Sequence, residues 1–247
     1  MTYKPQLPPP LSLVELESVG STNDHAKQLA RNGYPHGTIV WAHQQTAGRG
    51  RQGNTWTSMP GNLFMTMILR PEKNAAVTGQ MSFVSAVALA ETLKEWVPPS
   101  VTVALKWPND VLLGGKKAAG ILLEADSSGV HDVGWMIVGI GVNITAAPDG
   151  AACLKDFGHG GLEAGLVLEK LAKRLKTLYE IWRKTGFDLI RNEWMGYAHN
   201  IGATINVRLP RETISGKFIG IDTSGALQLE MQDGSRKDIS SGEVFSV

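Results

Sequence analysis

The sequence predicts an α+β fold, a large unit followed by a small β unit, and three observations carry that expectation. Residues 77–97 hold apolar side chains at helical spacing, with Met81, Val84, Ala88 and Leu89 together, and Pro98-Pro99 ends the run. Short, largely apolar runs such as 63–69 have the length and composition of buried strands. From residue 201 onward the texture changes to brief alternating runs, the pattern of a small antiparallel unit.

In chain order, residues 11–16 predict a first strand. Ser21-Thr22-Asn23-Asp24 predicts the cap of a helix over 25–31 that stops near Gly33. Residues 38–42 and 63–69 predict buried strands, and the Gly- and Arg-rich segment 48–62 between them has no apolar period and predicts a loop. Strands follow at 101–106, 120–125 and 133–140, then a loop over 145–161, a helix over 163–184 and another over 187–195. Runs 204–209, 214–221, 227–231 and 236–239, with a turn at Asp233-Gly234, predict a small β-barrel. The expected domains are therefore 1–198 and 199–247.

Composition narrows the function. The 24 basic and 23 acidic residues nearly cancel, so no global field draws the chain to nucleic acid or an anionic membrane, and any bound anion must be held locally. The single Cys153 cannot form an internal disulfide, and the scattered His residues lack metal-ligand spacing, so no metal site built from protein side chains is expected. The apolar stretches are interrupted before the length of a membrane span, which predicts a cytoplasmic protein.

Two segments invite chemistry. In Gln45-Thr46-Ala47-Gly48-Arg49-Gly50-Arg51-Gln52-Gly53 the glycines match a dinucleotide fingerprint literally, but no helix can begin in the Asn54-Thr55-Trp56 that follows, and no Gly-Lys-Ser closes a P-loop. What remains is a loop whose arginines and exposed amides can wrap an anion, a solvated surface loop, or an Arg-Gly contact for RNA. Lys106-Trp107-Pro108-Asn109-Asp110 stands where a strand ends, so Lys106 either projects into a crevice beside the sheet or marks an exposed turn. Ser21-Thr22-Asn23 serves as a cap or holds a polar head group. Asn143, closing the apolar run Gly139-Ile140-Gly141-Val142, needs a polar partner.

Together these motifs, with Ala119-Gly120-Ile121-Leu122, stand in the order and spacing of biotin protein ligases, which the chain resembles from about Glu15 onward. The resemblance implies a catalytic domain like that of class II aminoacyl-tRNA synthetases, a mixed sheet flanked by helices, and a C-terminal SH3-like β-barrel. It implies an ATP-dependent ligase that makes biotinyl-5'-AMP and transfers biotin to a lysine of a biotin carboxyl carrier protein, with ATP and Mg2+ as cofactors. By motif, Ser21, Thr22, Asn23, Gln45 and Gly48 would hold biotin, and Arg49, Gly50 and Arg51 would close over it. Lys106 would bridge its carboxylate and the α-phosphate, with Arg49 as a second catalytic cation. Trp56, Asn109 and Asn143 would serve the nucleotide side, with Arg49, Arg51 and Lys106. The family loop often carries arginine where this chain has Gln52 and Asn54, which bears on how tightly the adenylate is held. Some members carry an N-terminal helix-turn-helix; a motif beginning at residue 21 leaves no room for one here, so no DNA binding is expected. A homodimer on an exposed sheet edge is a further expectation. A lipoate ligase or octanoyltransferase on the same fold, an RNA-binding module and a small-ligand sensor without catalysis are the alternatives. Only 7% aromatic residues and a near-neutral charge oppose the RNA reading.

Overall fold

A computed structural model describes residues 3–71, 75–126, 134–159 and 161–246. Strands β1 (Ser12–Val19), β2 (Thr38–Gln45), β3 (Leu63–Leu69), β4 (Val103–Lys106), β5 (Asp110–Leu113), β6 (Lys116–Ala125) and β7 (Met136–Val142) form one mixed sheet in the order β1-β2-β3-β7-β6-β5-β4. Only β1 and β2 pair in parallel.

Strand periodicity sorts the side chains of this sheet. On β3, Leu63, Met65, Met67 and Leu69 enter the main core, while Ile68 joins a smaller cluster with Ala26 and Ala30 of helix α1 (Thr22–Arg31). On β7, Met136, Val138, Ile140 and Val142 enter the main core, and Ile137 faces α1. Gly139 and Gly141 share the Ile137 face, as Gly120 and Glu124 share one face of β6. The α1 side of the sheet thus has no side chain at Gly120, Gly139 and Gly141, where β6 and β7 run together.

Helices α3 (Met81–Lys94) and α4 (Ala164–Thr185) pack on the opposite face, with α5 (Asp188–Gly196) against α3. The single helix expected over 77–97 is two: α2 (Ala75–Thr78) ends before Gly79, and α3 begins after Gln80. Glycine is a poor helix former, and the Gln80 side chain is engaged elsewhere. Its Nε2 donates to the Thr223 carbonyl at 3.0 Å and its Oε1 accepts from Trp182 Nε1 at 2.8 Å.

Two strands were not expected. β5 follows the Pro108 turn and is joined to β6 by Gly114 and Gly115, whose φ values of 55° and 81° suit glycine. The other is β12 (Glu243–Ser246), which pairs with β8 (Thr204–Arg208). With β9 (Thr213–Ile221), β10 (Leu227–Glu230) and β11 (Arg236–Ile239) they form an antiparallel sheet ordered β11-β10-β9-β8-β12, the small SH3-like unit. Its β10–β11 turn has Gly234 at φ 80°, as Asp233-Gly234 predicts. The strand predicted over 101–106 begins only at Val103; that over 120–125 begins earlier, at Lys116; and the first residue of the run 133–140 lies outside the described residues. The expected division at 198/199 falls between α5 and β8.

Candidate active site

A cavity opens on the α1 side of the sheet, over the stretch where β6 and β7 carry Gly120, Gly139 and Gly141. Side chains there are excluded by what already occupies the space. A Cβ on Gly139 would stand 2.0 Å from Asn23 Oδ1, and one on Gly141 would stand 2.4 Å from the Trp56 ring. The indole of Trp56 lies across Gly120 and Gly141, with its N–H buried and without a hydrogen-bond partner among the described residues.

One wall is the start of α1. Ser21 occupies the N-cap position, but its side chain makes no cap hydrogen bond, so capping does not account for it. Thr22 donates through its backbone N–H and its hydroxyl to Gln45 Oε1, at 2.9 and 3.1 Å, and Gln45 Nε2 donates to Ser58 Oγ at 3.2 Å. Buried Thr66 Oγ1 lies 2.7 Å from Asn23 Oδ1 and 2.9 Å from Thr22 Oγ1. These polar groups, buried at Thr22, Asn23 and Thr66 and half-buried at Gln45 and Ser58, are fixed by one another, the condition for a pre-organised polar pocket.

The second wall is the Gly-Arg loop, folded as a tight reversal. Arg49 bridges antiparallel to Thr55, the Trp56 N–H donates to the Gly48 carbonyl at 3.0 Å, and Gln52 sits at φ 54°. Gly48 does not line the cavity: a Cβ there would meet the Trp56 carbonyl at 2.7 Å and Ser58 Oγ at 2.8 Å, so its part is to let the loop's arms approach. Arg49 pairs with Asp24 at 2.7 Å and Glu124 at 3.0 Å. Arg51 turns the other way and donates to Asn109 Oδ1 at 3.2 Å. Burial draws the Arg51 guanidinium below its ordinary pKa, while the nearby Asp110 and Glu243 carboxylates oppose that shift.

The third wall comes from 106–110. The Trp107–Pro108 bond is cis, Trp107 Nε1 donates to the Gly225 carbonyl at 3.0 Å, and Asn109 Nδ2 donates to the Ile121 carbonyl at 2.8 Å. Lys106, at the end of β4, lines the cavity, the first of the two placements its position allows, and no ion pair engages it among the described residues. Lys117, which sequence reasoning missed, lines the same cavity; it pairs with Asp110 at 2.7 Å and lies 5.7 Å from the Trp56 ring centroid. Sequence reasoning also missed the barrel's contribution, Gly242, Glu243 and Val244, which complete the rim.

The expected site residues Ser21, Thr22, Asn23, Gln45, Arg49, Gly50, Arg51, Trp56, Lys106 and Asn109 therefore surround one cavity. Asn143 does not: its Nδ2 donates to the Ala152 carbonyl at 3.2 Å, and its Oδ1 is buried without a partner among the described residues.

Comparison with known proteins fits this geometry. The model of the biotin/lipoate A/B protein ligase family matches residues 15–143, and that of the biotin protein ligase C-terminal domain matches 201–246. A biotin--[acetyl-CoA-carboxylase] ligase of Paracoccus denitrificans is 40% identical over 240 residues, 93% of this chain and 98% of that protein. The chain belongs to the biotin protein ligase family. A bifunctional ligase/repressor of Bacillus subtilis is 35% identical, with 91% of this chain matched to 71% of that protein. Among solved structures, the biotin protein ligase of Aquifex aeolicus in complex with biotin and ATP superposes with a TM-score of 0.80 at 28% identity, covering 95% of this chain and 97% of that one. That of Leishmania major in complex with biotinyl-5-AMP gives 0.66 at 27%, covering 94% and 100%.

Proposed function

We propose that this biotin protein ligase joins biotin to ATP as biotinyl-5'-AMP, releasing pyrophosphate, and then passes the biotinyl group to a lysine of a biotin carboxyl carrier domain. The observation that carries the reading is the set of cations Lys106, Lys117 and Arg51 around a cavity floored by glycine. The lipoate alternative is not favoured, because the relatives found are biotin ligases.

Biotin's carboxylate is ionised at neutral pH, so its attack on the α-phosphorus needs no general base; the barrier is the approach of two anions. Fixed positive charge in a walled site lowers it. Lys106 is assigned to the carboxylate and α-phosphate, with Lys117 and Arg51 beside it, and Ser21, Thr22, Asn23 and Gln45 hold the biotin head. Arg49 and Gly50 contribute by closing the loop, and Trp56 flanks the adenine. Asn109 belongs on the nucleotide side. Asn143 serves there only through the backbone it supports, since its side chain does not reach the cavity.

Magnesium fits as a guest of the nucleotide. The described residues contain no group of three or more His, Cys, Asp or Glu that could hold a metal, but Mg2+ characteristically keeps few protein ligands and binds mainly through phosphates and water. Asp110, which lines the cavity, would supply an oxygen ligand, and the ion would offset charge on the polyphosphate.

In the second step the carrier's lysine amine attacks the acyl carbonyl and AMP leaves, and the proton is lost from the amine. Residues 1–198 and 199–247 are read as the catalytic and C-terminal domains, with the latter closing the rim over which the carrier approaches. The compartment is read as the cytoplasm, on the use of ATP and the unpaired Cys153. Of the large sheet's two edges, Leu105 of β4 is bridged to Ala198, which leaves β1 as the edge for a homodimer.

The test is pyrophosphate release from ATP on adding biotin, with lipoate in parallel and Lys106→Ala as control. Biotin-dependent release that the variant loses is expected. Release with lipoate alone, or with neither, would sink the reading.

A further inference from the structure

Arg49 and Arg51 sit two residues apart in one loop, yet their surroundings differ in kind. Arg51 faces the cavity and touches an amide oxygen. Arg49 is held in a closed ring of alternating charge. It meets Asp24 at 2.7 Å and Glu124 at 3.0 Å, while Lys27 meets the same two carboxylates at 3.2 and 2.7 Å. Glu124 is the less exposed carboxylate, at 24% against 54% for Asp24, and its Oε2 also accepts from Asn23 Nδ2 at 2.9 Å. Burial raises the Glu124 carboxyl, but Lys27, Asn23 and Arg49 outweigh it and hold it ionised below the ordinary carboxylate range.

Two carboxylates on one guanidinium leave little net charge for an incoming phosphate. The same contacts fasten this arm of the loop to α1 and to β6. Through Asn23 they reach the buried Thr66, Thr22 and Gln45 network that forms the biotin wall.

We infer that Glu124, assisted by Asp24, is a positioning residue that latches the Gly-Arg loop through Arg49, so that Arg49 anchors the loop and Arg51, Lys106 and Lys117 face the phosphates. The inference deepens the ligase reading and rests on it for its consequence: Glu124 governs how long the biotinyl-adenylate is retained. The latch itself is a property of the ligand-free protein.

Amide hydrogen exchange over 48–55 in the ligand-free full chain tests it, comparing wild type with Glu124→Gln, Asp24→Asn and Lys27→Met. A charge-assisted hydrogen bond in a half-buried setting corresponds to roughly a tenfold effect or more. Exchange in the loop should rise about tenfold in Glu124→Gln and less in Asp24→Asn, with β9 amides unchanged as the control for folding. Lys27→Met removes a competitor for the same carboxylates, so the loop should exchange no faster than in wild type. A general loosening would raise exchange in all three variants and overturn the latch, as would an unchanged loop in Glu124→Gln. Release of preformed biotinyl-adenylate, measured in parallel, should quicken about tenfold in Glu124→Gln. If wild type forms no adenylate the ligase reading fails while the exchange result still decides the latch; if wild type retains adenylate and the variant retains it equally, the role assigned to Glu124 fails.

Discussion

Lys106 Nζ lies 5.7 Å from the centroid of the Phe245 ring, so the end of β4 and the last strand of the barrel meet across the cavity. The Arg208 guanidinium lies 4.3 Å from the same ring centroid. The cation assigned to the reacting carboxylate is thus steadied by a residue of the other sheet.

Replacing Lys106 and replacing Phe245 should therefore differ in scale. Removing an electrostatic donor from a transition state costs about a hundredfold to a thousandfold in rate. Losing a cation–π contact at an accessible site costs about 0.5–1 kcal/mol, roughly two- to fivefold in kcat/KM. Pyrophosphate release by Lys106→Ala and Phe245→Leu checks both, and equal losses would refute the division of roles.

Gly141→Ala should expel the Trp56 indole, because the added methyl would stand 2.4 Å from the ring. Overpacking of this kind costs about 1–3 kcal/mol, and moving the loop is the easiest relief. The difference in tryptophan emission between wild type and Gly141→Ala should vanish when both proteins also carry Trp56→Phe. A difference that persists would place the strain elsewhere.

Acid should loosen the tether between the N-terminal segment and α4. The Glu169 carboxyl is brought from 4.5 down to about 2, by the Lys173 hydrogen bond first, then by the Gln6 backbone N–H, with Tyr3 adding to it and burial opposing. The unfolded group takes up its proton near 4.5, whereas the folded one resists to about 2. Its stabilisation is complete above the first value and disappears as pH falls to the second. Melting temperatures of wild type and Glu169→Gln should differ above that window and converge at its lower end.

Gly225→Ala should destabilise the junction of the two sheets. Its φ is 90°, and a Cβ would stand 2.4 Å from the Phe83 ring. The backbone strain alone is about 1–2 kcal/mol, to which the clash adds. A lower melting temperature with one unchanged cooperative transition is the expected calorimetric result; separate transitions would mean that the units unfold independently.

Much of this was legible because strand and helix periods depend on neighbours in sequence. Leu63–Leu69 was readable to the residue, since a run of six apolar side chains around the single Thr66, between a glycine-rich loop and a proline, has few other uses. β5 was not, because Asp110-Val111-Leu112-Leu113 is too short to show a period and its register comes from β4 and β6. In the site, the motifs marked the two faces formed by local sequence. Lys117 escaped because Gly114-Gly115-Lys116-Lys117 reads as a solvated turn; what makes it part of the site is the pairing of β5 with β6, which sets it beside Asp110. Asn143 was marked for the opposite reason. A polar residue ending an apolar strand does need a partner, but it found the Ala152 carbonyl, and spacing along a chain does not tell a ligand from a backbone oxygen.

Helix α3 is buried on nearly every side, from Met81 through Leu93. At its first turns Gln80 grips the Thr223 carbonyl, and Phe83 packs on Trp194 and Phe187 with centroids 5.4 Å apart in each pair while abutting Gly225. The helix works as an axle that touches both sheets. Opening to admit substrate or a carrier lysine is therefore expected of the short Gly-Arg reversal more than of the barrel, which shares α3 with the large sheet.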